Sequence, residues 1–188
     1  DALFNVLKSV ESQNKLPDEV IIADDGSAET TRTLIEGFKS KSKLKIMHSF
    51  QKDIGFRAAR SRNRAISKAN GEYIVMIDGD MVLHKDFIYD HFRNAQIGYF
   101  VQGTRVLLTN KRTKKMLENF KPITHFLEAG LNNRKNAIHS DFLSKIFSVK
   151  KNLLRGIKTC NVAFFKDDCI GVNGFNNEFE GWGKEDSE

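Results

Sequence analysis

Three short β-branched runs, separated by stretches of helical spacing, constrain this chain more than anything else in it. Glu19–Ala23 (EVIIA), Leu44–Phe50 (LKIMHSF) and Tyr73–Ile77 (YIVMI) each read as a buried strand. Ahead of the first, Ala2, Leu3, Val6, Leu7 and Val10 recur at helical spacing. Between the first and second, Thr31, Leu34, Ile35 and Phe38 do the same. After the second, an arginine-rich helix opens at Gly55 and closes at Asn70-Gly71. This order predicts an α/β fold, a mostly parallel central sheet flanked by helices. Lys85–Arg93 reads as a further helix and Gly98–Leu108 as containing another strand.

Ligands bind such sheets beyond the carboxyl ends of the strands, and both acidic pairs of the chain fall there. Asp78 and Asp80, split by Gly79, follow the third strand. Two like charges so close are costly unless a positive group shares them. Carboxylates on a tight turn suit a hard divalent cation, which in turn binds phosphate oxygens; a turn with helix-capping aspartates is the plainer use. Asp24-Asp25-Gly26-Ser27 follows the first strand. It reads equally as a strand–turn–helix cap and as an acceptor for ribose hydroxyls or a base N–H. In Gly55–Ile66, Arg57, Arg60 and Arg64 fall near one helical face and Arg62 points elsewhere. Arginine forks at a helix N-terminus suit phosphate; a solvated basic face fits the same spacing equally well.

The overall formal charge of +6 is unevenly spread. Residues 101–160 carry thirteen bases and three acids, a net +10, which leaves −4 for the rest. Such polarity suits a solvated lysine-rich face or a polyanionic partner: an anionic membrane, a phosphorylated glycolipid or a nucleic acid. Apolar and basic residues alternate through Lys111–Lys158 in a pattern that predicts mainly helix, either interfacial or core-facing. No apolar run approaches the ~18 residues of a membrane span. Two cysteines, Cys160 and Cys169, do not make a disulfide framework and read as free thiols. The five histidines show no metal-ligand spacing with one another along the sequence. In the tail, Trp182 stands between Gly181 and Gly183, and Glu185 and Asp186 follow. An aromatic ring beside acids suits a sugar, and either acid can take a proton from a hydroxyl; a core tryptophan beside a helix cap is the plainer reading.

Taken together, a strand ending in DDGS, a helix carrying Arg62-Asn63, GEYIVMIDGD and CNVAFFKDDCIGVNGFNNEFEGWGKEDSE resemble the family-two glycosyltransferases of the GT-A fold. The tail is similar to the C-terminal module of galactosyltransferases and chondroitin-type polymerases. The resemblance implies an inverting transferase that moves a sugar from a UDP-sugar to a hydroxyl of a glycan or glycolipid, in bacterial surface polysaccharide or lipopolysaccharide synthesis. It implies nucleotide contacts from Asp24, Asp25, Arg57, Arg62 and Asp78, and Mn²⁺ (or Mg²⁺) held by Asp80 with Asp78. It implies an acceptor site at Gly181, Trp182 and Gly183, and a base at Asp186, with Glu185 next. A single domain over 1–188 is expected: a nucleotide-binding half to about 108, a basic helical segment over about 109–158 and an acceptor-side motif over about 159–188. The family's first strand and a histidine beyond the E-D pair are missing from these residues, so the chain reads as truncated at both ends. The implied location is the cytoplasm, with a peripheral position on the inner face of the membrane through 101–160 left open. A nucleotidyltransferase of similar architecture, and a non-catalytic carbohydrate- or nucleic-acid-binding domain, are the alternatives; nucleic acid is disfavoured by the carboxylate pairs.

Overall fold

The computed structural model of the chain describes residues 2–123, 125–148 and 157–179, the side chain of Phe147 excepted. Helix α1 (Ala2–Glu11) buries Val6, Leu7 and Val10 along one stripe. Strand β1 (Val20–Asp24) and, after helix α2 (Glu29–Lys39), strand β2 (Ile46–Phe50) pair in parallel, from Val20 opposite Ile46 to Asp24 opposite Phe50. Leu7, Val10, Ile35, Phe38, Leu44, Ile46 and Leu83 form the core against which β1 packs. Leu7 and Ile35 are almost wholly enclosed; burial of each such side chain contributes about 1.5–3 kcal/mol.

The buried polar residues of α1 have a separate task. Ser9 accepts from the Leu83 N–H at 3.0 Å, and Gln13 donates to the His84 carbonyl at 2.7 Å while accepting from the Ile88 N–H at 3.0 Å. These bonds moor residues 83–88, the segment just after the Asp78/Asp80 turn, to the first helix.

Helix α3 (Ala58–Lys68) leads to β3 (Tyr73–Ile77) through Asn70-Gly71. Glu19 accepts from the Asn70 and Gly71 N–H groups at 2.6 and 3.0 Å, which ties the start of β1 to the entrance of β3. Helix α4 (Phe87–Asn94), β4 (Val101–Gln102), β5 (Leu107–Leu108), α5 (Asn110–Glu118), β6 (Leu131–Asn132) and α6 (Asp141–Phe147) follow. Strand β7 (Asn161–Phe165) then inserts antiparallel between β3 and β4, and α7 (Lys166–Gly171) succeeds it. The fold is mixed α/β: the parallel part expected from helix–strand alternation is the β1–β2 pair, and β3, β7 and β4 pair antiparallel. No local periodicity marks β7 in the sequence.

The expectation of mainly helix over Lys111–Lys158 is corrected among the described residues. Helix is confined there to α5, α6 and a single 3-10 turn at Arg134–Ala137. Thr109 and Ser140 cap fresh starts, accepting from the N–H groups of Arg112 and Leu143. Pro122 and the left-handed Gly130 and Asn133 lie between them. No helix among the described residues is long and apolar enough to cross a membrane. Cys160 and Cys169 are free thiols, as read.

Candidate active site

β3 ends at Ile77 and the chain turns at once, the Met81 N–H donating to the Asp78 carbonyl at 3.1 Å. Gly79 and Asp80 therefore occupy the centre of the turn. A Cβ on Gly79 would meet nothing within 4 Å, so the space above the turn is open. Asp78 is half-buried and Asp80 exposed. Arg105, from the loop between β4 and β5, brings Nη1 to 3.8 Å from Asp78 Oδ2. A pair this exposed adds about 1 kcal/mol of stability at most. Its consequence is local: a guanidinium partly neutralises one of two neighbouring carboxylates. Buried Cys160 feels both members of the Asp78–Arg105 pair: burial raises its thiol above the ordinary value, Arg105 acts in the opposite sense and Asp78 adds to the rise. The Asp78–Arg105 pairing joins residues far apart in sequence, and no local signal pointed to it.

Asp24 is 5 % exposed and both of its oxygens are engaged. Oδ1 accepts from the Gly26 and Ser27 N–H groups at 3.1 and 2.8 Å, and Oδ2 meets His48 Nε2 at 2.7 Å. Burial raises its pKa, but the Ser27 N–H and His48 outweigh burial and hold it below the ordinary carboxylate value. Half-buried Asp25 accepts from Gln51 Nε2 and from the Arg57 N–H, both at 2.5 Å. The pair thus fixes the edge at which β1 and β2 both end, and it anchors the loop that opens α3.

Arg57 leaves the helical face on which its spacing placed it. Its backbone is non-helical (φ −131°, ψ 51°), its side chain is buried, and its guanidinium donates to the Lys52 carbonyl at 2.5 Å. Arg60 and Arg64 are exposed. Arg62 lies over the ring of Phe175 at 5.7 Å. Next to it, Asn63 grips the same segment. Its Nδ2 donates to the Phe175 carbonyl at 2.6 Å and to Asn177 Oδ1 at 2.9 Å, and its Oδ1 accepts from the Phe175 N–H at 2.9 Å. Gly174 has φ +67°, and a Cβ there would come within 2.6 Å of Asn63 Oδ1, so the close approach requires glycine. The Arg62-Asn63 pair and the NGFNN stretch, read as separate motifs, are one junction. Gly181, Trp182, Gly183, Glu185 and Asp186 lie outside the described residues.

The histidines, unconnected along the sequence, are placed by the fold. His48 pairs with Asp24, and His91 Nε2 meets Asn161 Oδ1 at 2.9 Å. His84, Asp86 and His139 gather so that one potential metal-ligand atom from each lies within 4.8 Å of the others.

The profile of glycosyl transferase family 2 matches residues 1–158, and that of the N-terminal domain of galactosyltransferase matches residues 146–188. The chain is 28 % identical to a chondroitin synthase of Pasteurella multocida over 95 % of its own length and 20 % of the relative's. It is 29 % identical to the chondroitin synthase of Escherichia coli over 90 % of its length and 27 % of the relative's. It is 27 % identical to a hyaluronan synthase of Pasteurella multocida, again over 95 % and 20 %. The chain thus spans about a fifth to a quarter of these relatives. Its fold matches Staphylococcus aureus TarS (TM-score 0.58, 16 % identity, 100 % of this chain and 30 % of that one). It also matches TarS 1–349 in complex with UDP-GlcNAc (TM-score 0.57, 17 % identity, 98 % and 47 %). With a profile spanning most of its residues and the fold of a sugar-nucleotide-binding neighbour, the chain belongs to glycosyl transferase family 2 and has the GT-A fold.

Proposed function

We propose that this chain is the transferase domain of an inverting enzyme that moves a hexose or N-acetylhexosamine from a UDP-sugar to a hydroxyl of a growing bacterial polysaccharide or glycolipid. The observation that carries this is the Asp78-Gly79-Asp80 turn, open at the end of β3 and faced by Arg105, in a family-two chain. The chondroitin and hyaluronan synthases among its relatives and the UDP-GlcNAc complex of TarS support a UDP-sugar donor and a glycan product.

The donor set fits a hard cation: two carboxylates, one of them exposed, on a turn with free space above it. Asp80, with Asp78, would hold Mn²⁺ or Mg²⁺, which when bound neutralises charge on the departing diphosphate. Arg105 offers the same diphosphate a second positive group. Asp24 and Asp25 shape the floor for the nucleoside from β1, Asp25 through the Gln51–Arg57 loop it anchors. Arg62 sits where the nucleotide side meets the tail. Asp186 takes the proton from the acceptor hydroxyl as that oxygen attacks the anomeric carbon, Glu185 being the alternative base. Trp182, between Gly181 and Gly183, supplies a flat apolar face to the sugar rings. The basic 101–160 segment meets an anionic acceptor or membrane surface.

Calorimetric titration of UDP into the chain, with Mn²⁺ and then with EDTA, tests this reading. UDP binding is expected to need the metal and to weaken at least tenfold in Asp80→Ala. Equal affinity of wild type and Asp80→Ala in Mn²⁺ would remove the turn from the donor site.

A further inference from the structure

Four residues beyond Asp80 in the sequence begins a group of different chemistry, the cluster of His84, Asp86 and His139. One potential ligand atom from each lies within 4.8 Å of the others. The supports around it distinguish it from a chance surface group. Asp86 Oδ1 accepts from Asn14 Nδ2 at 2.5 Å, and Oδ2 lies 3.8 Å from His84 Nδ1. That Nδ1 accepts from the Asp86 N–H at 3.3 Å, which leaves His84 Nε2 as the nitrogen that can ligate. His139 Nε2 meets Asp90 Oδ2 at 2.7 Å, which leaves its Nδ1 lone pair free to ligate. A histidine whose second nitrogen is held by a carboxylate is the usual outer-shell arrangement of a metal-bound imidazole. The two imidazole rings sit 4.7 Å apart, centroid to centroid. Residues 84–88 are themselves moored by Gln13 of α1, so two of the three donors stand on a fixed base.

We propose that His84, Asp86 and His139 form a three-ligand site for a zinc-class divalent ion, distinct from the carboxylate turn. Two imidazoles and one carboxylate suit Zn²⁺ better than Mn²⁺ or Mg²⁺, which prefer oxygen donors. A tetrahedral ion with bonds of about 2.0 Å sets its donors roughly 3.3 Å apart. Exposed His139 supplies the small closing movement that this requires. A cleft of about 460 Å³, bordered by Asp86, Asp90, Arg93 and His139, gives the ion its way in and leaves its fourth position to water. The bound ion joins the approach to α4 to the approach to α6, alongside the 2.7 Å Arg93–Asp141 ion pair that spans the same two elements. It is a clasp that fastens part of the basic segment to the nucleotide-binding half. This inference does not depend on the transfer reaction.

The test is Zn²⁺ uptake by the chelator-stripped full chain, measured by competition with a chromophoric chelator, with Co²⁺ absorption as a second readout. The expected result is one equivalent of Zn²⁺ and intense visible Co²⁺ bands. Both should be lost on His139→Ala, with affinity down about 100-fold, and kept in Asp80→Ala. Asp90→Asn, which removes the carboxylate that holds His139 Nε2 and a negative charge near His84, should weaken Zn²⁺ by about 10- to 100-fold. His139 is exposed, so its variant tests the ion rather than the fold. Equal uptake by wild type and His139→Ala overturns the site. So does uptake lost in Cys169→Ser instead, or no uptake at all, which would leave a tilted histidine pair between two aspartates.

Discussion

The junction between α3 and the tail offers the sharpest test of how this domain is assembled. Asn63→Ala removes one side chain that makes three hydrogen bonds to residues 175–177. Two of these satisfy the backbone N–H and carbonyl of half-buried Phe175; the third, to Asn177, is exposed and counts for little. At about 1 kcal/mol net for each backbone bond, the substitution should weaken docking of residues 174–177 by about 2 kcal/mol. That corresponds to a roughly 30-fold larger opening constant at 25 °C. The loss falls on the junction, because the core of Leu7, Ile35 and Phe38 does not include Asn63. Amide hydrogen exchange reads it directly: the Phe175 amide should exchange about 30-fold faster, while amides of β1 and β2 keep their protection. Asn63→Asp keeps the acceptor for the Phe175 N–H but sets a carboxylate against the Phe175 carbonyl, so it should fall between alanine and wild type. A Phe175 amide that exchanges within twofold of wild type in Asn63→Ala would show that something other than this side chain holds the tail.

Two further substitutions probe the frame around the site. In Gly103→Ala the new Cβ would lie 2.2–2.5 Å from the amide of Asn161, which is itself bonded to His91 and to the Thr104 carbonyl. Unfolding in urea should therefore show a loss of about 1–3 kcal/mol, and a wild-type midpoint would mean that Asn161 yields freely. Asp24→Asn should cost about 1.5–3 kcal/mol near neutral pH, because its bonds from Ser27 and His48 lose their charge. Since the folded-state pKa of Asp24 lies below its ordinary 3.8, this contribution is complete above that value and fades as pH falls through the lower one. Stability curves of the two proteins should converge in acid; a gap that does not narrow as pH falls below 3.8 would locate the effect elsewhere.

Much of this arrangement can be read along the sequence, for physical reasons that differ by element. Helices α1 to α4 and strands β1 to β3 declare themselves by local periodicity, and the Asp78-Gly79-Asp80 turn is local by nature. Strand β7 is different. Asn161–Phe165 is five residues long, buried or half-buried throughout and paired with partners remote in sequence, so neither alternation nor a hairpin turn marks it. Over Lys111–Lys158 apolar spacing points to helix, but the caps and breakers at Thr109, Pro122, Gly130 and Ser140 cut it into short pieces among the described residues. In the candidate site, residue types were legible but pairings were not. Arg105 against Asp78, His48 against Asp24, Asn63 around Phe175 and His139 beside His84 all join distant segments. The arginine helix misled at Arg57 because that residue caps the helix and stands outside its regular turn.

The position of β7 between β3 and β4 also sets an order of events during synthesis. The strand that bridges its sheet is made roughly 90 residues after β3, so at ~5–20 residues per second β3 waits about 5–20 s for its partner. Throughout that interval the nascent chain carries an unpaired edge made of Tyr73–Ile77, the kind of edge that templates association with other chains. The β1–β2 pair, closed by residue 50, can form well before, so folding should proceed in two stages separated by translation itself. Slowing the ribosome between β3 and β7 would lengthen the exposed stage, and chaperone capture in the cell should fall on nascent chains of about 80–160 residues.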